Sequence, residues 1–120
     1  MEREMLSIEQ LTDTIRQFAE ERDWGQFHSP KNLSMALAVE TSEIMEIFQW
    51  LTEEQSKNLP EEKMAELKDE LADVTIYLIR LADKLGIDLL SAAEAKIARN
   101  KEKYPADKVR GSAKKYNEYD

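Results

Sequence analysis

Two stretches of the chain repeat apolar residues in steps of three and four, a spacing that fits packed helices and little else. Leu33, Leu37, Ile44, Ile47 and Leu51 follow Ser29-Pro30, and Leu67, Leu71, Val74, Leu78, Leu81 and Leu85 lie between Pro60 and Gly86. At 3.6 residues per turn each set lines one side of a helix, the seam by which helices pack in a bundle. Local chemistry marks the ends. Ser7 with Gln10 reads as a capping box that opens a first helix, with Leu11, Ile15 and Phe18 on one face, running to about Arg22. Ser29 before Pro30 opens a second helix to about Leu51, and Pro60-Glu61 opens a third to Leu85, closed by Gly86 in a left-handed cap. Asp88 caps a fourth helix through about Lys103, which Tyr104-Pro105 ends because the residue before proline resists helical dihedrals. The polar run TEEQSKNL reads as a connection and PADKVRGSAKKYNEYD as an irregular end. The expected fold is all-α, a bundle of about four helices. The expected organisation is one helical domain over 1–105 and a polar, basic tail over 106–120.

Glu40 breaks the second seam, standing where the step of three and four calls for an aliphatic side chain. A buried carboxylate without a partner costs several kcal/mol or shifts its pKa until it is neutral. Glu43 lies three residues on, and the third helix carries Glu70 and Asp73 at the same spacing, beside its seam together with Tyr77. Each pair points one way. If the two helices pack antiparallel, four carboxylates converge and repel unless a cation sits among them. Hard Mg²⁺, or Mn²⁺, suits such an oxygen-only set. Two readings therefore fit: a cation site, or solvated acidic faces of the kind expected when 25 of 120 residues are acidic. Glu46, Glu66 and Asp69 read as decoration of that second kind. A di-iron bundle is excluded, since it needs Glu-x-x-His pairs and the single histidine, His28, precedes the second helix.

The formal charge of −8 argues against nonspecific binding to nucleic acid. Its distribution is uneven: residues 1–95 hold nine basic against 21 acidic side chains, and residues 96–120 hold eight against four. With no cysteine, disulfides and thiolate metal sites are excluded. No apolar run reaches the ~18 residues of a membrane span, and MEREMLSIEQ lacks the apolar core of a signal peptide. A soluble, cytoplasmic protein with no membrane or nucleic-acid partner is expected.

The paired acids, E-x-x-E at 40 and 43 and E-x-x-D at 70 and 73, resemble the metal-binding signature of the MazG-like all-α nucleoside triphosphate pyrophosphohydrolases. Within that superfamily the chain is most similar to the dCTP pyrophosphatases, through ERDWGQFHSPKNL, EIFQW, ELADVTIYLIRLAD and KIARNKEKYP in the family's order. The resemblance implies hydrolysis of a nucleoside triphosphate to the monophosphate and pyrophosphate, with Mg²⁺ held by Glu40, Glu43, Glu70 and Asp73, and a role in clearing unwanted deoxynucleotides. It also implies substrate-binding roles for Trp24, His28, Trp50, Tyr77, Lys96 and Asn100. Two indoles can enclose a base, Asn100 can read a base edge, and Lys96 can meet a phosphate as a point charge. Family members assemble as homotetramers, dimers of dimers, and a helix with Met35, Met45 and Phe48 off its seam agrees with apolar surface left for a partner.

One departure stands out: the animal dCTP pyrophosphatases carry a histidine where alignment on ERDW puts Ile15, which weakens the case for strict cytosine preference. Two alternatives remain, a dUTPase-like activity of the same superfamily and a non-catalytic helical interaction module. The tail, with Lys108, Arg110, Lys114 and Lys115, is expected either to reach the phosphates or to remain a solvated end.

Overall fold

The computed structural model describes residues 5–113. The described residues contain helices α1 (Ile8–Glu21), α2 (Pro30–Phe48), α3 (Glu53–Ser56), α4 (Glu61–Lys84), α5 (Leu89–Lys103) and α6 (Ala106–Val109), with a 3₁₀ turn at Trp24–Gln26 and no strand. The all-α class is as the sequence requires. Two compact units divide after Gly86, α1 to α4 in the first and α5 with α6 in the second.

The helix starts follow from their caps. Ser7 Oγ accepts the Gln10 amide at 3.1 Å while Gln10 Oε1 accepts the Ser7 amide at 2.8 Å, so two amides without intrahelical partners are satisfied reciprocally. Ser29 Oγ accepts from the Asn32 amide at 3.1 Å ahead of Pro30, and Asp88 accepts from the Ser91 amide at 3.0 Å. α4 ends at Lys84 with Leu85 as its cap, and Gly86 follows at a φ of 66°, free of the steric penalty a Cβ would add. Two expectations change. α2 stops at Phe48, three residues early, because Thr52 and Gln55 form a second capping box that starts α3 inside the polar run TEEQSKNL. The end of the chain is not wholly irregular either, since Pro105 precedes α6. Lys114 and Lys115 of the tail lie outside the described residues.

In the first unit α2 and α1 both pack on α4. His28 lies beside Arg80, Glu40 beside Glu70, and Glu46 and Ile47 share a recess with Lys63 and Glu66. Numbers rise along α2 as they fall along α4, so the two run antiparallel. Ile15 and Ala19 of α1, Leu33 of α2, and Ile79 and Ala82 of α4 are buried. Fully burying Leu33 contributes about 2 kcal/mol by transfer alone.

The α4 seam differs from the sequence reading. Leu67, Val74 and Leu81 are half-buried, but Leu71, Leu78 and Leu85 are 49%, 39% and 54% exposed. Glu70, Asp73 and Tyr77, expected beside the seam, are half-buried in it. α4 therefore carries its acids toward α2 and leaves a row of leucines outside.

Candidate functional site

The centre of the α2–α4 contact is acidic. Glu40, Glu43 and Glu70 each contribute a carboxylate oxygen to a group whose atoms all lie within 4.8 Å of one another. The spacing of three along α2 puts Glu40 and Glu43 on one face, and the antiparallel register brings Glu70 opposite. Asp73 lies about one turn further along α4, close enough that its charge raises the pKa of Glu40. Hydrogen bonding with Glu70 pulls Glu40 down, but burial and the charges of Glu43 and Asp73 outweigh it, and the net shift is upward. Glu70 is pushed up to about 7, first by hydrogen bonding with Glu40, then with Glu43, then by burial and repulsion. Without a cation the cluster is thus driven to hold a proton near neutrality.

The chemistry of this set fits a divalent ion. Glu40 Oε2 and Glu70 Oε2 are buried and have no hydrogen-bond partner among the described residues. Such acceptors are costly when left alone and are what an oxygen-seeking cation satisfies. Beside them an open recess of about 300 Å³ is lined by Glu43, Glu46, Ile47, Lys63, Glu66 and Glu70. Glu46 and Glu66, read from sequence as decoration, border this recess, and Lys63 reaches Glu66 at 3.3 Å. The signal was present: Glu46 extends the Glu40–Glu43 step by three, and Glu66 precedes Glu70 by four.

The aromatic residues fall in two places. Asp23, in the left-handed region at φ 54°, turns the chain out of α1 and places Trp24 at the start of the 3₁₀ turn. The Trp24 ring meets Phe18 edge-on at 5.5 Å and His28 at 6.1 Å. It is 41% exposed, so one region of the indole is packed and another is open. Trp50, just past α2, is 87% exposed. Trp24 and Trp50 flank the 19 residues of α2, which at 1.5 Å per residue separates them by roughly 28 Å. One subunit cannot close both indoles on one base. Tyr77 is half-buried about one turn beyond Asp73 on α4. In the second unit Lys96 is exposed and Asn100 half-buried on α5.

Sequence reading missed Arg80. It is 5% exposed, its Nε donates to His28 Nδ1 at 3.2 Å, and its charge is met by Asp83 at 3.7 Å. Asp83 in turn accepts two hydrogen bonds from Arg16 of α1, at 2.6 and 2.9 Å. No local pattern announces contacts between residues 52 and 67 apart in the chain.

A helical unit whose two central helices bring carboxylates together, two of their buried oxygens partnerless among the described residues, has the donor set of an α-helical protein that can hold a divalent ion. The chain belongs to the MazG-like family, which matches residues 35–119. It is 42% identical over 114 residues to dCTP pyrophosphatase 1 of Mus musculus and 40% identical over 114 residues to dCTP pyrophosphatase 1 of Homo sapiens, each match covering 93% of this chain and 67% of the relative. The crystal structure of a pyrophosphatase from Archaeoglobus fulgidus superposes with a TM-score of 0.79 at 35% identity, covering 88% of this chain and 98% of the other.

Proposed function

We infer that this protein is a nucleoside triphosphate pyrophosphohydrolase acting on dCTP or modified deoxynucleotides, releasing the monophosphate and pyrophosphate. The observation that carries the reading is the group of Glu40, Glu43 and Glu70, with two buried oxygens lacking partners among the described residues, in a chain about 40% identical to proteins named dCTP pyrophosphatase 1. Glu40, Glu43, Glu70 and Asp73 would hold Mg²⁺, with Mn²⁺ as a substitute. When bound, the ion neutralises triphosphate charge, polarises phosphorus and lowers the pKa of an attacking water. The carboxylates fix its position, and one of them takes the water's proton.

Trp24, Trp50, Tyr77, His28, Lys96 and Asn100 are proposed to bind the nucleotide. Because the indoles stand at opposite ends of α2, a base touching both lies between two subunits. The exposed Leu71 and Leu78 of α4, Leu85 at its cap, and Met35, Val39 and Met45 of α2 support a homo-oligomer, proposed as a tetramer built from two dimers. Residues 1–105 form the proposed catalytic domain and 106–120 a basic tail. Among the described residues no helix is long and apolar enough to cross a membrane, which agrees with a cytoplasmic enzyme. Ile15 is buried and fills the core, so base selection falls to other residues, and uracil remains the competing base. Pyrophosphate release from a panel of dCTP, modified dCTP, dUTP, dTTP and dATP tests the reading: preference for the cytosine nucleotides supports it, preference for dUTP reassigns the substrate, and no release from any of them rejects it.

A further inference from the structure

The buried cation Arg80 is not accounted for by hydrolysis at the carboxylates. It sits within the first unit, its guanidinium between His28 and Asp83. A guanidinium has only donors and does not lose its proton in proteins. The Arg80 Nε–H can therefore bond His28 Nδ1 at 3.2 Å only if Nδ1 is bare, and a neutral imidazole then carries its proton on Nε2. The partners leave Arg80 little freedom to turn away. Asp83, three residues along the same helix, faces it at 3.7 Å, and Asp83 is itself gripped at both oxygens by Arg16 of α1. His28 is held from its other sides as well. Its amide donates to the carbonyls of Trp24 and Gly25 at 3.1 and 3.3 Å, and its ring meets Trp24 edge-on.

We propose that Arg80 is a positioning residue for nucleotide selection: by donating to Nδ1 it holds His28 as the Nε2–H tautomer, so that the imidazole offers the base a hydrogen-bond donor and selects a ligand presenting an acceptor there, such as a pyrimidine carbonyl. The inference rests on the proposed function for the nature of the ligand but not for the state of the ring. Electrostatics act in the same direction. Burial, then the charges of Arg80 and Lys84, hold the His28 pKa below its ordinary value, so the ring resists becoming an imidazolium. A donor fixed in this way discriminates because a base with a donor at the same place would leave two hydrogens facing each other and both groups unsatisfied.

The protein has one histidine, so ¹⁵N NMR of its imidazole needs no residue assignment, and couplings to the ring carbon-bound protons tell Nε2 from Nδ1. In the unaltered protein at pH 7 the expected spectrum has Nε2 protonated and Nδ1 bare. A proton on Nδ1, an even mixture, or an imidazolium overturns the proposal. Arg80→Met keeps an apolar stem and removes the donor; it is expected to give a tautomer mixture and to raise KM for the nucleotide roughly tenfold, the worth of about one hydrogen bond, with a smaller change in kcat. Arg80→Lys, whose ammonium can still donate, should restore both. Unchanged tautomer in Arg80→Met, or a changed tautomer with unchanged KM, rejects the selective role. If Arg80→Met does not fold, the spectra of the unaltered protein and of Arg80→Lys decide, since both must show the Nε2–H form. The spectra require no turnover, so absence of nucleotide hydrolysis would reject the proposed function while the tautomer is still read directly.

Discussion

Glu40 of α2 and Glu70 of α4 meet across the helix pair, and each keeps one buried carboxylate oxygen without a hydrogen-bond partner among the described residues. We read this pairing as the reason an acid stands in an aliphatic seam: the opposing helix brings further acids, and the proposed cation would satisfy them together. Glu40→Gln should therefore lower kcat/KM by about two orders of magnitude or more, through loss of a strong ligand. The metal-free variant should melt no lower than the parent, because removing one charge relieves repulsion. Full activity of Glu40→Gln at limiting Mg²⁺ would show that the carboxylate is not a ligand.

The two indoles should separate in their effects on stability. Trp24 packs against Phe18 and His28 while Trp50 stands 87% exposed. Trp50→Ala should leave the monomer fold intact and weaken nucleotide binding by about 1 to 3 kcal/mol, the range for stacking a base on an aromatic side chain. Trp24→Ala should do the same and lower the melting temperature as well. Calorimetric titration with a non-hydrolysable nucleotide and with inorganic triphosphate distinguishes base stacking from general damage, since only the nucleotide should lose affinity.

Exposed leucines on α4 predict assembly. Replacing Leu71 or Leu78 by glutamate places a charge in the row that α4 leaves outside its own core, and a buried unpaired charge in an interface costs several kcal/mol. Light scattering coupled to size exclusion should show a smaller species than the parent. An unchanged mass would place the interface elsewhere.

Asp83 makes stability depend on acid. Hydrogen bonding from Arg16, opposed by burial and aided by the charges of Arg16, Arg80 and Lys84, holds its pKa below the ordinary 3.8. A carboxylate depressed on folding stabilises the protein above its unfolded value, and that stabilisation is lost as pH falls through the folded value. The difference in urea unfolding free energy between the parent and Asp83→Asn should be constant near neutrality and shrink below about pH 4. A difference that persists unchanged to pH 2 would mean that Asp83 acts by packing alone.

Much of this was readable from the chain because its causes are local. Ser7, Ser29 and Asp88 cap helices through atoms three residues away, and the sequence carries the whole interaction. The carboxylate pairs were readable because a helix fixes what faces the same way. Periodicity failed on α4, where leucines occur on two faces: a leucine left exposed and one packed in the core look alike in sequence, and Leu71, Leu78 and Leu85 proved to be outside while Glu70, Asp73 and Tyr77 turned inward. α3 was hidden by polarity although Thr52 and Gln55 announced it in the manner of Ser7 and Gln10. The contacts of Arg80 with His28 and Arg16 with Asp83 depend on how three helices meet, which no single segment encodes.

On the function proposed above, the acidic α2–α4 pair serves to split a deoxynucleoside triphosphate between its α and β phosphates. Time-resolved ³¹P NMR of dCTP with the protein and Mg²⁺ reads that bond cleavage itself. The expected record shows dCMP and pyrophosphate rising together at equal rates, and a rate slower by about a hundredfold or more with Glu40→Gln. Formation of dCDP with inorganic phosphate, or equal turnover by the parent and Glu40→Gln, would contradict it.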